Sequence, residues 1–352
     1  MRTNGTAHRV AVIATGAVAA LALAACGGGG TDAEHTGRPV VGLITKTDTN
    51  PFFVTLKEGA QQATARSGVA LQTFAGRSDG DNESQVQAIE NLISAGAAGF
   101  MITPNDSRAI VPELDRARQA GLVVVALDTP TEPADVVDTT FATDNVRAGE
   151  LVGRWARMRL GAGAATARIA MLDLSPNKVS VDVQRDQGFL QGFGIPVGDP
   201  GVIGDESDPR IVGHEVTDGA EEGGRTAMEN LLQKDPSISV VYAINEPAAA
   251  GAYEAIRAAD KERSIVIVSV DGSCAGVRAV QEGRLGATAQ QYPLRMAQDG
   301  ITAIAQYAAN GIRPTPADGR PFTDTGTTLV TDASVPGVDS EDTGFGAAHC
   351  WG

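Results

Sequence analysis

The sequence predicts an α/β protein built as two doubly wound, parallel-sheet lobes. Three observations predict it. Short apolar runs alternate with helical patterns of roughly ten to fifteen residues, the mark of parallel sheets with crossover helices. The runs are continuously apolar, as strands covered on both faces require. At 352 residues, 42% of them hydrophobic, the chain has material for two cores.

The first unit sets the pattern. Val41 to Thr45 reads as a buried strand, followed by a polar loop and Asn50-Pro51. Asn is a favoured N-cap and Pro a favoured first helical residue. Phe53, Leu56, Ala60 and Ala63 then recur at helical spacing, and Gly68 stands where such a helix stops. The loop therefore lies at the carboxyl end of a strand, where open α/β sheets bind ligands.

The remaining units follow in order. Ala70–Phe74 is a strand. Asn82 to Gln85 has the form of a capping box before a helix over Val86–Ala95. Gly99–Thr103 is a strand, Ser107–Gln119 a helix, and Leu122–Leu127 a strand ending at Asp128. A short strand over Val137–Ala142 leads to Thr143-Asp144-Asn145, which opens a helix ending near Leu160. A second series has strands over Arg168–Leu174, Ile211–Val216, Val240–Ile244, Ile265–Val270, Leu285–Ala289 and Gly326–Val330. Helices are expected over Val181–Phe193, Gly224–Gln233, from after Asn245-Glu246 through about Ala259, Ala275–Gln281 and Ile301–Ala309. Residues 194–209 read as a loop.

Polar residues recur where strands end: Lys46, Asp128, Asn245, Asp271 and Gln291. They form a ring facing one cleft. No GxGxxG fingerprint and no P-loop follows any strand, so no nucleotide cofactor is expected. Asn, Gln, Asp and Arg supply fixed donors and acceptors, which suit a sugar's hydroxyls. Phe52 and Phe53 at the mouth of the first loop suit its C–H faces. No metal is expected, since the spacing of His and Cys matches no zinc pattern. The acidic run Asp79–Glu83 lacks the alternation of a calcium loop and reads as a solvated helix cap.

Residues 1–25 carry Arg2 and Arg9 and no acid, then an apolar run from Val10 to Ala25. This is a secretory signal segment, too short and too rich in Ala and Gly for a membrane span. Leu23-Ala24-Ala25-Cys26 has the pattern of a lipoprotein cleavage site, with Cys26 as the lipidated residue and 26–38 as a flexible tether. The expected location is extracytoplasmic, anchored by lipid to the outer face of the cell membrane. Without those 25 residues the 28 Lys and Arg fall by two against 43 Asp and Glu. Such an acidic balance argues against nucleic acid. Cys274 and Cys350 remain once Cys26 is lipidated, and an oxidising compartment permits their disulfide. Two free buried thiols are the alternative.

TNPFF at 49–53, ALDTP at 126–130, ATDN at 142–145, QRDQGF at 184–189, INEP at 244–247, SVDG at 269–272 and ATAQQYP at 287–293 resemble the ribose-binding type of periplasmic sugar-binding proteins. Longer segments, among them GLITKTDTNPFFV and the terminal CWG, are similar to the substrate-binding proteins of fructose ABC importers. The resemblance runs from about Val40 to the end. It implies a periplasmic binding protein type I-like fold, with two lobes joined by a hinge the chain crosses several times. The lobes would be 39–142 plus 292–324 and 143–291 plus 325–352. It also implies ligand contacts at Asn50, Phe52, Phe53, Asp128, Arg185, Asn245, Asp271 and Gln291. Lys46, Thr103, Asp182 and Glu246 are weaker candidates. Asn50 would serve as cap and contact with different groups, and Phe52 would face ligand while Phe53 joins the core. Asp144 and Asn145 read as hinge or cap residues. Lys46 stands where the ribose type has serine, Thr129 where it has arginine, Val270 where it has an aromatic, and Thr103 where it has asparagine. These departures favour a sugar other than ribose.

The expected function is capture of a monosaccharide, fructose first, and delivery to the membrane subunits of an ABC importer by a monomer that performs no reaction. Ribose, mannose or a polyol are alternatives within that class. A sugar-responsive transcription regulator would need a DNA-binding helix-turn-helix before the first strand. An enzyme would need Asp128 and Asp271 as a carboxylate pair.

Overall fold

A computed structural model describes residues 37–177, 179–316 and 320–352. The signal segment, Cys26 and most of the tether lie outside the described residues. No helix among the described residues is long and apolar enough to cross a membrane.

Two six-stranded sheets organise the chain. The first has strands β1 (Val40–Thr45), β2 (Ala70–Ala75), β3 (Gly99–Ile102), β4 (Val123–Leu127), β5 (Thr139–Ala142) and β11 (Thr323–Asp324), in the order β11-β5-β4-β3-β1-β2. The second has β6 (Ile169–Asp173), β7 (Ile211–Val216), β8 (Val240–Ala243), β9 (Val266–Asp271), β10 (Ala287–Gln290) and β12 (Thr328–Val330), in the order β12-β10-β9-β8-β6-β7. β12 runs antiparallel to β10; the other ladders are parallel. The central strands are buried on both faces, which is why they read as unbroken apolar runs. The fold is thus the expected α/β pair of doubly wound lobes.

Helices α1 (Pro51–Ser67), α2 (Asn82–Ser94), α3 (Val111–Gln119) and α9 (Pro293–Asn310) cover the first sheet. Helices α4 (Asn145–Leu160), α5 (Ser180–Phe193), α6 (Glu221–Lys234), α7 (Glu246–Ala258) and α8 (Cys274–Gln281) cover the second, with a short α10 (Thr343–His349) near the end. The chain passes between sheets after β5, after β10 and after β11.

α1 starts and stops as the sequence dictates. Asn50 Oδ1 accepts from the Phe52 N–H at 2.9 Å. Gly68 ends the helix in the left-handed region, φ 71°, where a side chain would be strained.

Several boundaries differ from expectation. The cap of α2 is Asp81, whose carboxylate accepts from the Ser84 N–H. Gln85 does not close a capping box; fully buried, it donates to the carbonyls of Thr45 and Thr103 and accepts from the Asn105 N–H. α3 begins at Val111, because Ser107 is drawn away to Ser180 and Pro112 sits in the first turn. α9 begins at Pro293, eight residues before Ile301: Met296 and Ala297 extend its apolar stripe into the first core. β11 and α10 were not expected; neither has the length to show periodicity.

α4 and α5 pack nearly backbone to backbone. Gly149 and Gly153 on α4 face Gly188 and Gly192 on α5. A Cβ at Gly149 would collide with the Arg185 carbonyl, and one at Gly188 with the Val146 carbonyl. This contact fixes α5, and α5 carries Arg185.

Cys274 and Cys350 form a disulfide, as expected. The tail beyond it is held further: the Cys274 N–H donates to the Trp351 carbonyl at 2.9 Å. Trp351 is buried within the core of the first lobe and meets Phe52 edge-on, centroids 5.5 Å apart.

Candidate functional site

All eight main ligand candidates and Lys46 line one hollow at the carboxyl ends of the strands. Asn50, Phe52, Phe53, Asp128 and Lys46 come from the first lobe; Arg185, Asn245, Asp271 and Gln291 come from the side of the second sheet. Asp79, Leu174, Val181 and Ile244 complete the wall. The hollow measures about 30 Å³, room for no more than a few water molecules. It adjoins an open groove of about 520 Å³ and shares Asn50, Phe52, Asp79 and Asp271 with it. The groove is larger, but the convergent polar groups belong to the smaller hollow.

Arg185 is the centre of the ring. Its side chain is buried, yet every donor direction in use is filled. Nε donates to Asn145 Oδ1 at 2.8 Å, Nη1 to the Ile244 carbonyl at 3.1 Å and Nη2 to Gln291 Oε1 at 3.2 Å. Nη2 also lies 3.5 Å from Asp128 Oδ1. Gln291 turns its amide to Asp271 Oδ1 at 2.8 Å, and the Glu246 N–H reaches Asp271 Oδ2 at 3.1 Å. A chain of bonds thus runs from Asp128 through Arg185 and Gln291 to Asp271, spanning both lobes.

Other ring members combine scaffold and site. Asn245 caps α7 through the Ala248 N–H and donates to the Gly219 carbonyl. Asp128 takes a left-handed backbone, φ 62°, and accepts from the Thr129 hydroxyl. Phe52 and Phe53 are both buried and both line the hollow, centroids 5.4 Å apart; Phe52, and not Phe53, also lines the outer groove. Direct contact between lobes also occurs beside the ring, where the Ser180 hydroxyl donates to the Pro130 carbonyl at 2.6 Å.

Burial chiefly raises the Asp271 pKa, to about 6, with the Arg185 charge opposing the rise. Burial and then the Asp271 charge lift Glu246 above the ordinary carboxylate range. Burial likewise raises Asp79, against the Lys46 charge 3.8 Å away.

Three weaker candidates do not reach the hollow. Thr103 is buried behind it, and its carbonyl is taken by Gln85. Asp182 is buried and accepts from the Leu174 and Ser175 N–H groups. Glu246 lines only the outer groove and braces the β9 end, accepting from Gly272, Ser273 and Thr288. Asp79 is the reverse case: expected in a solvated run, it is buried and lines the hollow. Asn145 was read as hinge or cap; Asp144 supplies the cap, while Asn145 holds Arg185 and donates to the Asp128 carbonyl. Trp351 was not expected near the site. Its indole N–H donates to the Gln291 carbonyl at 2.9 Å.

Residues 41–312 match the family model described as a periplasmic binding protein domain. The chain belongs to the periplasmic binding protein family. The ribose import binding protein of Bacillus subtilis is 32% identical over 272 residues, covering 77% of this chain and 81% of that protein. A D-ribose/D-allose-binding protein of Pseudomonas aeruginosa is 28% identical, covering 83% and 90%. Among solved structures, an ABC transporter solute-binding protein from Mycobacterium smegmatis with bound glycerol is 27% identical with a TM-score of 0.72, covering 89% of this chain and 96% of that one. One from Burkholderia multivorans is 26% identical with a TM-score of 0.72, covering 84% and 100%. This periplasmic binding protein is therefore similar to sugar-binding components of ABC importers, and its ring occupies the cleft between two lobes.

Proposed function

We propose that this protein captures one monosaccharide between its lobes and hands it to an ABC importer without chemical change. The observation that carries the reading is the convergence of carboxylates, amides, a guanidinium and two aromatic rings from both lobes on one hollow. Those groups suit hydroxyls and C–H faces. They have no activated nucleophile among them: Asp128 and Asp271 are engaged with Arg185 and Gln291. Admission of a sugar needs the lobes to part, since the closed hollow is too small. Hinge closure about the ligand follows, with bending at residues 142–145, 291–293 and near 325. The lobes on either side would be 39–142 plus 292–324 and 143–291 plus 325–352.

The sugar itself divides two readings. The sequence resemblance favours fructose, and Lys46 in the wall stands where the ribose type has serine. The names of the relatives favour ribose or allose. Titration calorimetry against fructose, ribose, allose, mannose and polyols tests both. Tight one-to-one binding of fructose alone supports the first reading; ribose or allose alone supports the second. Heat from none of them would overturn the monosaccharide reading. Cys26 as a lipid anchor is a separate part of the proposal, tested by mass spectrometry of the membrane-bound protein.

A further inference from the structure

Four ionisable side chains converge where β6, β7 and α5 meet, next in sequence to Arg185 and Leu174 of the hollow. Asp173 ends β6, His214 lies on the neighbouring strand β7, Asp186 projects from α5, and Glu206 comes from the loop before β7. The His214 Nδ1 is 3.1 Å from Asp173 Oδ2 and 3.8 Å from Asp186 Oδ2. On the other edge of the ring, Nε2 is 2.7 Å from Glu206 Oε1. Among the described residues, this is the one group of His, Cys, Asp and Glu whose atoms lie close enough to share an ion.

The hydrogen-bond account leaves the cluster incomplete. Asp186 is fully buried, and its Oδ1 accepts from Gln187. Its Oδ2, on the side of His214, has no hydrogen-bond partner, and Glu206 Oε2 has none either. A buried carboxylate oxygen without a partner is costly.

We propose that Asp173, Asp186 and His214 form a divalent-cation site of the zinc type. His214 Nδ1 and one oxygen from each aspartate supply three ligands, and solvent completes the shell. With bonds near 2.0–2.2 Å, neighbouring ligands around a tetrahedral ion stand about 3.3–3.6 Å apart, and the Nδ1 distances of 3.1 and 3.8 Å bracket that span. Imidazole with carboxylates suits zinc, and manganese as second choice. The ion takes the place of the proton that Nδ1 now shares with Asp173. Glu206 accepts the Nε2–H and so fixes the tautomer that leaves Nδ1 to the metal, the usual carboxylate support of a metal-bound histidine. His214 keeps a partly exposed edge, with a side-chain exposure of 16%, which gives an ion a way in. The site is distinct from the hollow: none of its four residues lines it.

The test is titration of chelator-stripped protein with zinc, manganese and magnesium salts, followed by calorimetry and thermal unfolding. Zinc is expected to bind one per chain and raise the unfolding temperature; magnesium is not. His214→Ala abolishes that stoichiometric binding, and Glu206→Gln weakens it by about 10–100-fold. Asp186→Asn serves as the second ligand variant should His214→Ala fold poorly, and retained sugar affinity reports an intact lobe. Absence of stoichiometric binding by zinc or manganese in the wild type would overturn the proposal. So would zinc binding unchanged in both His214→Ala and Asp186→Asn.

Discussion

Replacing Arg185 by Met removes the guanidinium and keeps most of the apolar stem. Three bonds vanish at once, to Asn145, the Ile244 carbonyl and Gln291, together with the ion pair to Asp128. Two consequences separate. Losing the bonds to Asn145, the Ile244 carbonyl and Gln291, all within the second lobe, leaves buried acceptors unpaired and destabilises the fold by about 1–3 kcal/mol. Losing a charged hydrogen bond to a bound sugar weakens affinity by about 1.5–3 kcal/mol, or about 10- to 140-fold. Urea unfolding followed by fluorescence measures the first, and titration calorimetry the second. The Arg185→Lys variant restores the charge but not the planar fork, so it should recover stability more than affinity. A folded Met variant that binds sugar with wild-type affinity would show that Arg185 only braces the lobe, and the ring assignment would fail.

The remaining predictions concern titration, packing and the tail. Asp271 has its pKa raised to about 6, mainly by burial, so the folded protein holds a proton there that the unfolded chain releases at lower pH. The cost of burying this carboxylate is therefore full above about pH 6 and is relieved as pH falls toward the ordinary carboxylate range. Sugar affinity, if it uses the carboxylate, declines as pH drops through 6, and the decline should vanish in Asp271→Asn. Gly188→Ala drives a methyl into the Val146 carbonyl; overpacking costs about 1–3 kcal/mol and should lower affinity by shifting Arg185. Equal stability to wild type by thermal unfolding would argue against the close helix contact. Cys350→Ser opens a bridge between residues 76 apart, for which loop-closure entropy sets a contribution of about 4.5 kcal/mol. A variant that unfolds at the same urea concentration as the disulfide form would contradict it.

Much of the frame was legible because its signals are local. Continuous apolar runs reveal buried strands, Asn50-Pro51 starts α1 and Gly68 ends it, and strand ends mark the ring. What escaped depends on partners distant in sequence. Asp79 sits among Asp, Gly and Glu and reads as solvated; only the fold brings Lys46 over it. Gln85 matches a capping box in spacing, yet Asp81 already caps the helix and Gln85 is free to tie β1 to β3. Thr103 and Asp182 stand at plausible positions, but Thr103 is buried off the wall of the hollow and the Leu174 and Ser175 N–H groups take up the Asp182 carboxylate. The two glycine pairs at 149, 153, 188 and 192 have visible four-residue spacing; that spacing was the available signal for the α4–α5 contact.

The internal completeness of the ring bears on selectivity. In the closed form Arg185, Gln291, Asp128 and Asp271 already bond one another. A ligand that reaches these four groups must replace bonds that exist. A sugar whose hydroxyls answer each displaced group exchanges bond for bond, and burial of its C–H faces against Phe52 and Phe53 supplies the surplus. An analogue lacking one hydroxyl leaves a buried donor or acceptor unanswered, which costs about 1–3 kcal/mol. If the ring holds the sugar as proposed, discrimination arises from the penalty on imperfect ligands more than from the strength of any single contact.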